Sequence, residues 1–106
     1  AHQRELYRQL NVRDGYRCLC CEAICYPHAA DQLRRAHHHH LVYRSKGGED
    51  STRNVCLLCA KCHSDVHAHR LNVEGDADAA LAFWWHGDDG WFLLRRDVGI
   101  GQTERD

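Results

Sequence analysis

The chain has 106 residues, a formal net charge of −1, seven cysteines and ten histidines. That length suits one domain with a modest core and leaves little room for two, and domains of this size often rely on a staple. An odd cysteine count, a polar start (AHQRELYRQL) and the lack of any apolar run of membrane-spanning length argue against a secreted disulfide scaffold and a membrane protein; they favour a soluble protein of a reducing, cytoplasmic compartment, where such cysteines bind metal.

In chain order, residues 2–13 are predicted to form a helix, with Leu6 and Leu10 four apart on one face and Gly15 as its stop. Residues 16–26 (YRCLCCEAICY) form a cysteine-rich knuckle, and Pro27 to Arg35 a connector with room for a helical turn. Strand character runs from His38 to Tyr43, and the paired glycines of 45–50 (SKGGED) mark a loop. A second short strand is expected over Asn54 to Leu58, then a helix from Ala60 to about Arg70. Residues 71–74 suit a short strand and Gly75-Asp76 a turn; 81–86 and 91–95 read as a β-hairpin closed by Gly87-Asp88-Asp89-Gly90. The last seven or so residues are expected to fray. Charge divides along the chain. Residues 1–70 hold 11 Lys/Arg against 7 Asp/Glu, or +4, and residues 71–106 hold 3 against 8, or −5. Only the first segment suits a polyanion.

Two C-x-x-C turns, Cys18/Cys21 and Cys59/Cys62, supply the four thiolates of a closed tetrahedral zinc site, which is structural because it leaves no open position. Cys20 or Cys25 could replace a neighbour in that set, whereas Cys25 and Cys56 more often serve as small core residues. Seven histidines fall between His37 and His69, including the internal run His37-His38-His39-His40. His63 and His67, four apart on the expected helix, share one face and can grip one metal ion, with His39 or His40 completing the cluster. An imidazole site with open positions can polarise a phosphate oxygen, and a spare histidine can take a proton from water near neutral pH.

From Arg13-Asp14-Gly15-Tyr16-Arg17-Cys18, through the residues from His39-His40-Leu41-Val42 to Gly47-Gly48-Glu49-Asp50, to Asn54 and Cys59-Ala60-Lys61-Cys62-His63 with His67, the chain resembles the HNH endonucleases of the ββα-metal type. The resemblance covers about residues 13–70. It implies that His39 is the first metal ligand, His40 the general base, Asn54 the residue that braces the loop and orients that base, and His63 and His67 the remaining ligands. It also implies a divalent catalytic ion (Mg2+, Mn2+, Ni2+, Co2+ or Zn2+) beside the structural Zn2+, and DNA as the substrate. Arg44 is a candidate phosphate contact. Tyr43 stands where the family often has proline. Counting back from Gly47-Gly48 selects His39 and His40, but strand alternation pairs His37 with His39 and His38 with His40, so a slip of one residue would exchange ligand and base.

The fold class expected is α+β: a small ββα-metal core with a four-cysteine zinc knuckle and a C-terminal β-hairpin, forming a single domain over 1–106 with the extension at about 71–100. Phe83, Trp84, Trp85, Trp91, Phe92 and Leu93 would cover the core from that hairpin, and a protein partner could dock there; the acidic charge of 71–106 disfavours DNA at the same place. The rival to a nuclease is an inactive zinc-binding interaction module derived from the same fold, which would have lost base or ligands. This sequence retains all of them.

Overall fold

The computed structural model describes residues 2–98, with side chains from 4 to 94; the fraying expected at the C-terminus lies outside the described residues. Helix α1 (His2–Arg13) buries Leu6 and Leu10 against Val55. It stops where the backbone turns left-handed at Gly15 (φ 68°), with the Tyr16 N–H returning to the Asn11 carbonyl at 2.9 Å. The first C-x-x-C turn follows, and the connector holds one 3-10 turn, Gln32–Arg34.

Strands β1 (Ala36–His40) and β2 (Val55–Cys59) pair antiparallel, with His39 opposite Cys56 and His40 opposite Val55. All five residues of β2 are buried, as its run VCLLC requires. Helix α2 (Ala60–His67) follows directly: Cys59 is its N-cap, and the Cys59 sulfur accepts the Cys62 N–H. Together these elements form a ββα unit within an α+β fold.

Several element ends differ from expectation, β1 beginning at Ala36 and not His38. β1 ends at His40 and not Tyr43, because the Asn54 side chain takes both backbone groups of Val42 and the Asn54 carbonyl accepts the Leu41 N–H. A 3-10 turn, Arg44–Lys46, follows. Gly48 then packs so closely on Val42 that a Cβ would lie 1.7 Å from its carbonyl oxygen. α2 stops at His67 and not Arg70, since His69 turns left-handed (φ 62°) and the Arg70 N–H reaches back to the Asp65 carbonyl at 2.9 Å.

The C-terminal extension is a three-stranded antiparallel meander, in which the short strand expected at 71–74 pairs with the expected hairpin: β3 (Leu71–Asp76), β4 (Ala80–Gly87) and β5 (Gly90–Val98). The turn placed at Gly75-Asp76 falls later, at residues 77–79. Leu71, Val73, Leu81 and Phe83 join Leu57, Leu58 and the cysteines in the main core, with Trp85 packed against it. The hairpin thus covers the core in part, while Trp91, Phe92, Leu93 and Leu94 on β5 stay exposed.

Arg13 and Asp14 join these parts. The Arg13 guanidinium makes two bonds to the Asp14 carboxylate (2.7 and 3.0 Å) and donates to the Thr52 and Val55 carbonyls and to Asp78, while Asp14 accepts the Leu57 N–H at 3.0 Å. Both side chains are nearly inaccessible, at 6% and 1% exposed.

Candidate metal centres and active site

The first C-x-x-C turn sits in a tight hairpin after α1, and the second spans the β2–α2 junction. Among the described residues, Cys18, Cys21, Cys59 and Cys62 are the one group of His, Cys, Asp or Glu that brings three or more ligand atoms within 4.8 Å of one another. Cys20 and Cys25 are buried beside them but stand outside the set. The Sγ atoms of Cys21 and Cys59 are 3.8 Å apart, and a tetrahedron with zinc–sulfur bonds of about 2.3 Å has edges of about 3.8 Å. The Cys21 and Cys62 N–H groups point at the Cys18 and Cys59 sulfurs at 3.5 Å, an arrangement that favours thiolate. Without a cation the Cys59 thiol resists ionisation: burial, with the thiols of Cys18 and Cys21 adding to it, pushes it up to about 11. The donor set fits a zinc ion.

The histidine strand divides by alternation. His37 and His39 face α2, where their rings meet His63 at centroid distances of 5.0 and 5.3 Å. His63 and His67, one turn apart on α2, bring their Nε2 atoms to 3.2 Å. Two imidazoles bound to one ion at about 2.0–2.1 Å leave their nitrogens roughly 3–3.4 Å apart, so this pair fits a shared cation. His39 is 3% exposed and stands one ring away, less tightly gathered than the thiolates. Burial, then the charges of His67 and His40, lowers its pKa to about 4; burial and the neighbouring imidazoles His39, His37 and His67 lower His63 to about 4. Both are neutral donors at neutral pH.

His38 and His40 face the other way. The His38 ring stacks on Tyr7 at 4.0 Å, 5° from parallel, and its Nε2 meets Asn11 Oδ1 at 2.8 Å. His40 Nε2 meets Asp50 Oδ1 at 2.7 Å. The His40 hydrogen bond, then the Arg44 charge, holds the Asp50 carboxyl below the usual carboxylate range; an ionised carboxylate only accepts, so His40 donates from Nε2 and leaves Nδ1 outside that bond. Asn54 ties the two segments together: its Nδ2 donates to the carbonyls of Val42 (3.0 Å) and Glu49 (2.9 Å), and its Oδ1 accepts the Val42 N–H at 2.8 Å. Arg44, read as a phosphate contact, is held by Asp50 at 3.0 Å and by the Tyr7 hydroxyl at 3.2 Å, yet is half-exposed. His39, His40, Arg44, His63 and His67 line one cleft of about 420 Å³.

Sequence reasoning did not assign Asp50 its place on His40, nor Tyr7 and Asn11 theirs on His38. The only signal for Asp50 was its position two residues after Gly48. Tyr7 and Asn11 are four apart on α1, a spacing that puts them on one face. Asp65, the other carboxylate near the histidines in sequence, is buried and paired with Lys61 and Arg70.

Comparison with known proteins places the chain beside a family and a curated relative. The family model described as HNH endonuclease matches residues 18–69. Anaredoxin of Nostoc sp. (strain PCC 7120 / SAG 25.82 / UTEX 2576) is 27% identical over 71 residues, which cover 67% of this chain and 83% of that protein. No solved structure matches the chain.

Proposed function

Residues 18–69 belong to the HNH endonuclease family, and from that premise we propose that the protein is a metal-dependent endonuclease that hydrolyses phosphodiester bonds in DNA. The observation that carries this reading is the meeting in one cleft of a carboxylate-oriented His40 with the imidazoles of His39, His63 and His67. We read the whole chain as one domain, with the C-terminal meander as cover for the core.

In this reading His40 Nδ1 takes a proton from water, whose oxygen attacks phosphorus as the bond to the 3′ oxygen breaks. Asp50 keeps the Nε2 proton of His40 in place, and Asn54 holds the loop and the strand exit in one geometry. His39, His63 and His67 would hold a divalent ion, which when bound polarises the phosphate and stabilises the departing oxygen. Arg44, at the mouth of the cleft, offers a guanidinium to a neighbouring phosphate once Asp50 shares it. The formal charge of +4 over residues 1–70, which four thiolates holding a zinc ion would reduce to about +2, still suits a polyanionic substrate better than the acidic remainder does. Phosphate contacts carry little base information, so weak sequence preference is expected. Cys18, Cys21, Cys59 and Cys62 would hold zinc for folding.

The test is cleavage of supercoiled plasmid by purified protein across a panel of divalent metals, with and without EDTA, alongside His40→Ala. The expected result is metal-dependent nicking or linearisation that falls about 10²–10⁴-fold in His40→Ala while the four-cysteine zinc is retained. No cutting with any metal would favour the inactive interaction module. Wild-type cutting by His40→Ala would move the base to another histidine of the run.

A further inference from the structure

The strand carries four histidines, and the proposed reaction uses His39 and His40. His38 is accounted for by its stack on Tyr7 and its bond to Asn11. His37 remains. It lies two residues before His39 on the same strand face, and its Nδ1 is 2.8 Å from Nδ1 of His63, the rings nearly perpendicular at 78°.

At that separation one nitrogen carries the hydrogen and the other the lone pair. If His37 donates, His63 must carry its own proton on Nε2, the atom 3.2 Å from Nε2 of His67, and that atom is closed to a metal. If His63 donates, its Nε2 keeps a lone pair facing the cleft, and the Nε2–H of His67 can donate to it until an ion arrives. Only the second arrangement leaves His63 and His67 as a pair of donors.

We propose that His37 is a positioning residue: it accepts the Nδ1–H of His63 and so holds that imidazole in the tautomer whose Nε2 binds the divalent ion. This rests on the metal site of the preceding subsection. His37 makes no contact with the ion itself. It plays the part that a carboxylate or carbonyl commonly plays behind a ligating histidine, and loss of such a partner typically weakens metal binding about 10–100-fold.

The test uses the full chain with its four-cysteine site filled with zinc. Long-range proton–nitrogen correlation spectra of 15N-labelled protein show which nitrogen of His63 is protonated, and the d–d absorption of added Co2+ gives the affinity of the second site. The expected result is Nδ1–H on His63 in the wild type and its loss in His37→Ala, with Co2+ affinity down about 10–100-fold. His37→Asn, whose Oδ1 takes the place of the accepting Nδ1, restores most of both. A wild-type His63 protonated on Nε2, an unchanged Co2+ affinity in His37→Ala, or an equal loss in the Ala and Asn variants overturns the assignment. Wild-type protein that takes up no Co2+ beyond the zinc site overturns the metal reading itself, and this role for His37 with it.

Discussion

His38, His39 and His63 are each lowered to about 4, first by burial and then by neighbouring imidazoles. Unfolded, the same side chains titrate near about 6.5. Between those values the unfolded chain takes up protons that the folded protein does not, so unfolding is favoured as pH falls through that window. Above it both states are neutral and these groups contribute no slope; below about 4 both are protonated and the loss is complete. The melting temperature should therefore drop between pH 6.5 and 4, and His38→Gln, which cannot titrate, should flatten part of the drop. A melting temperature that is level across this interval would show that the three imidazoles are protonated in the fold. That alternation would split the four histidines into two pairs was legible from the run itself. Which pair would face α2, and that Asp50 would close on His40, was not, because both depend on where a loop returns in space.

Elements whose limits depend on local chemistry were readable from their residues. The leucine spacing and Gly15 bound α1, and the apolar run VCLLC and the second C-x-x-C turn bound the β2–α2 junction. Elements ended by a distant group were not: β1 stops because Asn54, 14 residues beyond His40, occupies Val42. β3, the first strand of the meander, runs past its expected end because Gly75, with φ at 124°, lies inside it where glycine suggested a turn. At the β2–α2 junction Cys59 serves the helix as its cap and supplies one of the four clustered sulfurs. These roles can be separated, because serine is a good helix cap and a poor zinc ligand. Cys59→Ser is expected to lose zinc and most of its helical circular dichroism, since structural zinc supplies much of a small domain's folding free energy. A folded, zinc-containing Cys59→Ser protein would promote Cys20, Cys25 or Cys56 to ligand.

Across the whole molecule, the pair Arg13 and Asp14 links the end of α1, strand β2 and the turn before β4 through bonds shorter than 3.2 Å. Removing the cation leaves a carboxylate that is 1% exposed without its counter-charge. Arg13→Met, which keeps the side chain's length, should lower the free energy of unfolding by about 3–5 kcal/mol, as breaking a buried pair does; chemical denaturation would measure it. A change under about 1 kcal/mol, the range of an exposed pair, would mean that Asp14 is satisfied by the Leu57 N–H alone.

The two C-x-x-C turns stand at residues 18–21 and 59–62, so a metal ion on their four sulfurs would bend everything between them into a ring. The histidine strand, the Asn54 brace and the loop carrying Asp50 all hang inside that ring, and His63 is the first residue beyond its clasp. The connector over residues 30–35 is one of the ring's exposed stretches. A cut there would open the polypeptide without parting it, since each piece would keep two of the four sulfurs. The pieces would stay joined through the ion, and the hold of α1, with Tyr7, on the cleft would then rest on coordination bonds and side-chain packing and no longer on a peptide bond.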